Sequence, residues 1–354
     1  MPYHETRLPR STMGSTMGVA GSSLSFGPAP MRSRHVAVAV LVSFALCGCA
    51  LRPQLDGRAL YETVRRASVF VLANGRHMGS GFFAAPDGLV VTSAHMVKGR
   101  SDGIEVVSPV AGRLKAERVA MDLGHDIALL RVVGHGGPFP SLPIDERPPT
   151  PASEVFLFGD PVFRHRLLLT GFVSVAEPGY SYSPGTGCYI RVFYVTGTSP
   201  EGTSGGCWVD RRGRVVGVQA GFLNSPKAPA GIAMVCPADA IRRLVSTRAS
   251  CEVATLGTRL DELWTQPEGF IARFPKGTQG VLGVVPAKDG PVAKAGLTKE
   301  SLITAIDGKP VVFIEDLMAA VRLKKPGDEV VLQVLDPGDK PARTVTVRLG
   351  KVQE

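Results

Sequence analysis

Three short stretches carry residue types that could act together on an acyl group. Thr92-Ser93-Ala94-His95 ends an apolar run, Asp126-Ile127-Ala128-Leu129-Leu130 opens another, and Gly202-Thr203-Ser204-Gly205-Gly206 is a glycine-rich turn. The order His95, Asp126, Ser204 has separations of 31 and 78 residues. A serine hydroxyl is a weak nucleophile near neutral pH. It needs an imidazole to take its proton and a carboxylate to fix the imidazole tautomer and stabilise the cation. The glycines let the backbone turn so that the amides of Gly202 and Ser204 can both point at one developing oxyanion. Asp122 and His125 are nearby competitors for the carboxylate and the base.

These residues must be held by the elements around them. Strand-like runs separated by turn signals are predicted at 68–73, 80–84, 89–93, 127–133, 154–159, 167–175, 188–196, 215–220 and 232–235. Pro86-Asp87-Gly88 is a turn in which Pro presets φ and Gly supplies φ > 0. This spacing predicts a mainly β domain, a sandwich or a pair of barrels. Residues 238–245 have helical periodicity and close it, and residues 177–187 (EPGYSYSPGTG) read as a loop. From Glu252 the pattern changes and the charges balance. Strands are predicted at 280–285, 302–306, 329–335 and 344–349, with a turn at 307–310. A helix is predicted over 315–322 with Leu317, Ala320 and Val321 on one side, stopped by Lys324-Lys325-Pro326-Gly327. That is a small α+β domain.

A chain of 354 residues allows two domains, and 44% apolar with 20% charged residues excludes disorder over the whole length. Aromatics at 6% with 41 Gly and 28 Pro favour short strands and turns over helical bundles. The net charge of +9 comes without any Lys/Arg run of the kind that tracks phosphates, so no nucleic-acid partner is expected. Neither G-x-x-x-x-G-K-[ST] nor H-E-x-x-H occurs, and no metal or cofactor is expected. Residues 1–30 read as a disordered leader or a start placed too early. Residues 31–48 join Arg32 and Arg34 to an apolar run of signal-peptide length. The following Leu46-Cys47-Gly48-Cys49 resembles the bacterial lipobox, which would make Cys49 a lipid anchor in the cell envelope, outer membrane favoured, and 49–60 a linker. Cys188, Cys207, Cys236 and Cys251 then permit three disulfide pairings, or free buried thiols at Cys207 and Cys236.

The stretches GSGFFAAPDGLVVTSAHMV (79–97), DIALLRV (126–132), LTGFVSV (169–175), GTSGG (202–206) and GIAMVCPADAIRRLV (231–245) resemble the HtrA (DegP/DegQ) family of chymotrypsin-like serine proteases. The resemblance implies a double β-barrel protease domain over 61–248. His95 would be its base, Asp126 rather than Asp122 the orienting carboxylate, and Ser204 the nucleophile. The amides of Gly202, Thr203 and Ser204 would form the oxyanion hole. It also implies Thr198, six before the nucleophile, at the base of the S1 pocket, with Val218, Gln219 and Ala220 beside the substrate backbone. Thr198 gives no counter-charge to a buried Arg or Lys, so small or medium aliphatic P1 residues are expected. Thr203 and Cys207 depart from the family's usual residues around the nucleophile. Ala295-Gly296-Leu297, ITAIDGKPV (303–311) and Pro326-Gly327 resemble a PDZ domain, placed at 252–350. Its carboxylate-binding loop would contain Leu256, Gly257, Thr258 and Leu260, on a strand edge that accepts C-terminal peptides. The expected partners are unfolded polypeptides, C-terminal peptides and a membrane, with a homotrimer implied by the family alone. The expected function is an envelope endopeptidase for misfolded proteins, regulated by its PDZ domain through the 177–187 loop. The alternatives are a catalytically weak chaperone or scaffold, or a narrow-specificity signalling protease.

Overall fold

The computed structural model describes residues 53–354 apart from 162–163, 224–230 and 339–340. The expected leader and signal segment, and Cys49 with its anchor, lie outside the described residues. Helix α1 (Gly57–Ala67) opens the described chain, its first turn capped by Asp56, whose carboxylate accepts the Ala59 N–H at 2.8 Å. This helix begins inside the stretch expected to be linker. It does so because Leu60, Val64 and Ala67 recur on one face and are buried.

Strands β1 (Ser68–Ala73), β2 (Arg76–Phe83), β3 (Leu89–Ser93), β4 (Ile104–Ser108), β5 (Gly112–Asp122) and β6 (Ile127–Val132) close a barrel of neighbour order β1-β2-β3-β6-β5-β4. The short helix α2 (Ala94–Val97) leaves the end of β3. Asn74 and Gly75, with φ of 50° and 76°, make the tight β1–β2 hairpin that two successive positive-φ residues favour. At the β2–β3 turn the Gly88 amide donates to the Ala85 carbonyl and Gly88 has φ of 86°. A second barrel contains β7 (Glu154–Gly159), β8 (Leu167–Ser183), β9 (Cys188–Gly197), β10 (Cys207–Val209), β11 (Val215–Phe222) and β12 (Ile232–Pro237). Its neighbour order is β10-β11-β12-β9-β8-β7, and α3 (Ala238–Thr247) follows. Phe82 and Leu129 of the first barrel share one apolar cluster with Phe158 and Val218 of the second, Leu60 and Val64 of α1, and Ile241 and Leu244 of α3. The two helices therefore seal the seam between barrels, each fully buried Leu or Val side chain contributing about 1.5–3 kcal/mol.

Residues 177–187 differ from expectation. Strand β8 continues to Ser183 and β9 resumes at Cys188, so only 184–187 turn. Tyr180 and Tyr182, two apart on one face of β8, pack with Tyr189 of β9 against the core of the C-terminal domain. That burial overrides the local Gly/Pro/Ser signal. The four described cysteines are all free thiols, and burial pushes Cys207 up to about 12 and Cys236 well above its ordinary range.

The C-terminal domain contains β13 (Ala254–Thr255), β14 (Thr258–Glu262), α4 (Glu268–Ile271), β15 (Val281–Pro286), α5 (Pro291–Lys294), β16 (Leu302–Ile306), β17 (Lys309–Pro310), α6 (Ile314–Arg322), β18 (Glu329–Leu335), β19 (Arg343–Arg348) and β20 (Gly350–Lys351). Its main sheet runs β14-β15-β16-β18-β19, which leaves β14 at one edge. Helix α6 buries Leu317, Met318 and Val321, with Met318 in the place expected of Ala320.

Candidate active site

The first barrel brings His95 and Asp126 together. Strand β3 is buried at all five positions, so its end is fixed, and His95 sits in the turn of helix that follows. Asp126 immediately precedes β6, is fully buried, and adopts φ of 54°, a left-handed conformation that Asp tolerates better than most residues. The carboxylate is thereby turned under α2. Its Oδ2 lies 2.7 Å from His95 Nδ1, and its Oδ1 accepts the His95 backbone N–H at 2.9 Å. Holding Nδ1 as the donor leaves Nε2 as the basic nitrogen. Burial works against the imidazolium, but the Asp126 charge and hydrogen bond outweigh it and hold the His95 pKa above its ordinary value. The competing pair is a separate structure. His125 Nδ1 lies 2.8 Å from Asp122 Oδ2, and Arg243 binds the same carboxylate. Burial raises the Asp122 pKa, yet those partners bring it down to about 2.

The second barrel supplies the loop around Ser204, which is two consecutive tight turns. The Thr203 amide donates to the Pro200 carbonyl at 3.2 Å, and the Gly206 amide to the Thr203 carbonyl at 2.8 Å. The third residues of these turns are Gly202 and Gly205, with φ of 92° and 81°, the sign that type II turns demand. A methyl group on Gly205 would also stand 2.1 Å from the Ser80 carbonyl. The loop is stitched to the first barrel. The Ser80 amide donates to the Ser204 carbonyl at 2.8 Å, Thr92 Oγ1 to the Ser80 carbonyl at 2.7 Å, and Ser93 Oγ to the Gln219 carbonyl at 2.9 Å. The same Gln219 carbonyl takes the Gly205 amide. Thus the residues just before His95 grip the loop around Ser204.

The oxyanion expectation is corrected at one residue. The Thr203 amide is spent on its turn, whereas the amides of Gly202 and Ser204 have no hydrogen-bond partner among the described residues. The residues expected to set specificity are placed differently as well. A cleft of about 370 Å³ beside Ser204 is walled by His77, Met78, Ser199, Pro200, Gly221 and Phe222. Thr198 is exposed and outside it, because β9 ends at Gly197 and the chain leaves the barrel there; the neighbouring Ser199 is buried and faces the cleft. Gln219 reaches the cleft, but its side chain clamps Trp208 Nε1 at 2.7 Å and the Gly221 carbonyl at 2.6 Å. Val218 and Ala220 lie in the two apolar cores, where Ala220 falls at an irregularity in the β11–β12 pairing. Met78 and Phe222 carried no signal in the sequence, since strand alternation alone does not tell which apolar residue faces a cleft.

One buried acid lies behind the loop. Asp160, 1% exposed, accepts the Arg166 amide at 2.7 Å. Burial pushes its carboxyl up to about 6, against the pull of that amide, His165 and Ser80. A carboxyl whose pKa is raised on folding stabilises the fold below its unfolded pKa and loses that stability as pH rises through the folded one. Asp160→Asn should therefore gain stability over the parent on going from about pH 5 to about pH 8, by about 1 kcal/mol. Urea midpoints of both proteins at the two pH values check this, and a difference independent of pH would refute it.

The expected carboxylate loop is partly occupied. The Gly257 amide donates to Thr255 Oγ1 at 3.0 Å. At Leu260, on edge strand β14, the Tyr189 hydroxyl accepts the backbone N–H at 2.8 Å and lies 3.1 Å from the carbonyl. A side chain of the β8–β9 hairpin thus takes both backbone groups that an added peptide strand would use there. The tip of that hairpin also reaches His95: a methyl group on Gly185 would stand 2.7 Å from His95 Cβ, and Lys98 Nζ donates to the Thr186 carbonyl at 2.7 Å.

Comparison with known proteins recognises both domains. Residues 79–218 match the trypsin-like peptidase domain and residues 255–349 the PDZ domain. A probable periplasmic serine endoprotease DegP-like of Ectopseudomonas mendocina is 28% identical over 280 residues, covering 76% of this chain and 56% of that protein. The serine protease HTRA1 of Xenopus tropicalis is 28% identical over 267 residues, 69% of this chain and 54% of the other. The chain spans about half the length of the curated relatives it matches. Among solved structures, the HtrA-type protease AlgW with a decapeptide superposes with a TM-score of 0.60 at 18% identity, covering 84% of this chain and 99% of that one. The serine endoprotease from Yersinia pestis gives 0.55 at 19%, covering 83% and 98%. The chain has the HtrA-family architecture, a trypsin-like peptidase domain followed by one PDZ domain.

Proposed function

We propose that this protein is an HtrA-like serine endopeptidase that cuts unfolded polypeptides through an acyl-enzyme. The observation that carries the reading is the His95–Asp126 pair, with both carboxylate oxygens engaged, beside a loop whose Gly202 and Ser204 amides have no hydrogen-bond partner among the described residues. His95 takes the Ser204 proton as the hydroxyl attacks the scissile carbonyl, Asp126 stabilises the imidazolium, and the two amides receive the oxyanion. His95 then protonates the leaving amine. The organised dyad favours this reading over that of a binding-only scaffold. The cleft wall of Met78, Phe222 and Pro200 favours apolar P1 residues. Burial holds the His77 pKa down, and the one charged wall residue, Glu201, is exposed. Relatives named as periplasmic, together with the signal-like segment and Cys49, support work on the periplasmic side of the envelope at a lipid tether.

The test is incubation with unfolded casein, with and without a fluorophosphonate. Cleavage that stops on labelling of Ser204, with a peptide library showing Val, Ala, Leu or Met at P1, is expected. No cleavage with or without added C-terminal hydrophobic peptides would overturn the endopeptidase, and Arg or Lys at P1 would overturn the specificity.

A further inference from the structure

The oxyanion donors sit on a loop of glycines, and something must stop its peptide planes from rotating. The Gly202–Thr203 plane is held at both ends: its N–H by the Pro200 carbonyl, its C=O by Ser80 Oγ at 2.9 Å. The Ser204–Gly205 plane is also held at both ends: its C=O by the Ser80 amide at 2.8 Å, its N–H by the Gln219 carbonyl at 2.8 Å. Ser80 therefore supplies one pin to each plane, and the amides of Gly202 and Ser204 lie on the planes adjoining them. Its own hydroxyl is oriented. The Asp160 N–H donates to Ser80 Oγ at 3.1 Å, which occupies a lone pair, and the hydroxyl proton goes to the Gly202 carbonyl at 2.9 Å in preference to Asp160 Oδ2 at 3.4 Å. Ser80 is 1% exposed, so water does not replace it.

We propose that Ser80 is a positioning residue of the catalytic centre, whose hydroxyl and amide together fix the two oxyanion donors. The inference rests on the endopeptidase reading. Without the hydroxyl, the Gly202 carbonyl loses its only pin from the first barrel among the described residues. Gly202 has no Cβ to restrict it, so the turn exchanges between forms that present its N–H and forms that do not. The loss falls on the transition state, because a neutral substrate carbonyl asks less of the donors than an oxyanion does.

The experiment compares the full chain with Ser80→Ala and Ser80→Cys, the thiol being a weaker donor. Steady-state kinetics on an apolar peptide substrate are joined to ¹³C NMR of the hemiketal formed with a ¹³C-carbonyl peptidyl chloromethyl ketone. We expect kcat to fall about 10- to 100-fold in Ser80→Ala with KM within about twofold, less than the loss of an oxyanion donor itself. The hemiketal oxyanion pKa should rise by about one unit. Ser80→Cys should fall between parent and Ala in both, and carries the test if Ser80→Ala does not fold. An unchanged kcat overturns the proposal, and so does a lower kcat with an unmoved oxyanion pKa, which would mark Ser80 as merely structural. A parent protein with no activity would instead overturn the endopeptidase reading.

Discussion

Ser204→Ala and Asp126→Asn, made separately, should each lower kcat/KM on an unfolded or apolar peptide substrate by about 10⁴-fold or more. Ser204→Ala removes the attacking oxygen. Asp126→Asn is the more informative change, because it keeps the shape and removes the charge. Its amide nitrogen or oxygen must face His95 Nδ1, and the second position must still receive the His95 backbone N–H now bound by Oδ1. Satisfying the backbone donor with the amide oxygen turns the NH₂ toward Nδ1. That forces the tautomer with the proton on Nε2, where a base is needed. The pH profile gives a second reading. In the parent the Asp126 charge holds the His95 pKa above its ordinary value, and His95 acts only when neutral. Activity should therefore rise with pH along a limb centred above about 6.5, the ordinary imidazole value. In Asp126→Asn burial is left unopposed, and the residual activity should titrate at lower pH. Rate–pH curves for both proteins check this. A loss below tenfold, or an acid limb that does not move, would show that another carboxylate serves His95.

The proposed catalytic residues were legible in the sequence where chemistry and backbone need coincide. His95, Asp126 and Ser204 each follow or open an element whose pattern is plain, and Gly202 and Gly205 of the 202–206 loop sit at positive φ. Among the amides, the residue types did not say which were free. That depends on the Pro200 carbonyl closing the turn on Thr203, a hydrogen bond that no side-chain identity records. The same limit separates Thr198 from Ser199 in the cleft wall. Most strand positions in the barrels were clear from apolar runs. The missed strands β4 and β5 have half-buried patterns with Glu105, Arg113, Lys115 and Glu117 interspersed. The extension of β8 was missed for a different reason: Tyr180 and Tyr182 gain their burial from another domain, and no local pattern can report that.

Tyr189→Phe should tighten binding of a C-terminal hydrophobic peptide to the PDZ domain by about 10- to 30-fold. The argument follows from the β14 edge. A peptide strand added there needs the N–H and C=O of Leu260, and the Tyr189 hydroxyl engages both, at 2.8 and 3.1 Å. The ring is buried in the domain's core cluster beside Leu256 and Leu260, and Tyr182 next to it lies under the Arg259 guanidinium at 5.3 Å. The peptide therefore binds only the fraction of molecules in which the hairpin has withdrawn, and its apparent Kd is raised by that fraction. Two hydrogen bonds at about 1 kcal/mol each set the size of the effect. Phe keeps the ring and avoids the cavity that Ala would leave, so the cost in stability should be confined to those two hydrogen bonds, about 2 kcal/mol. Fluorescence anisotropy with a labelled hydrophobic peptide measures the Kd, and its C-terminally amidated form tests the carboxylate loop. Because Gly185 of the same hairpin packs on His95, withdrawal of Tyr189 also reaches His95. The peptide concentration that half-maximally alters casein cleavage should fall in step with Kd. An unchanged Kd would show that the hairpin already clears the edge without cost. A lower Kd with an unmoved half-maximal concentration would separate the groove from catalysis and leave the hairpin a packing element alone.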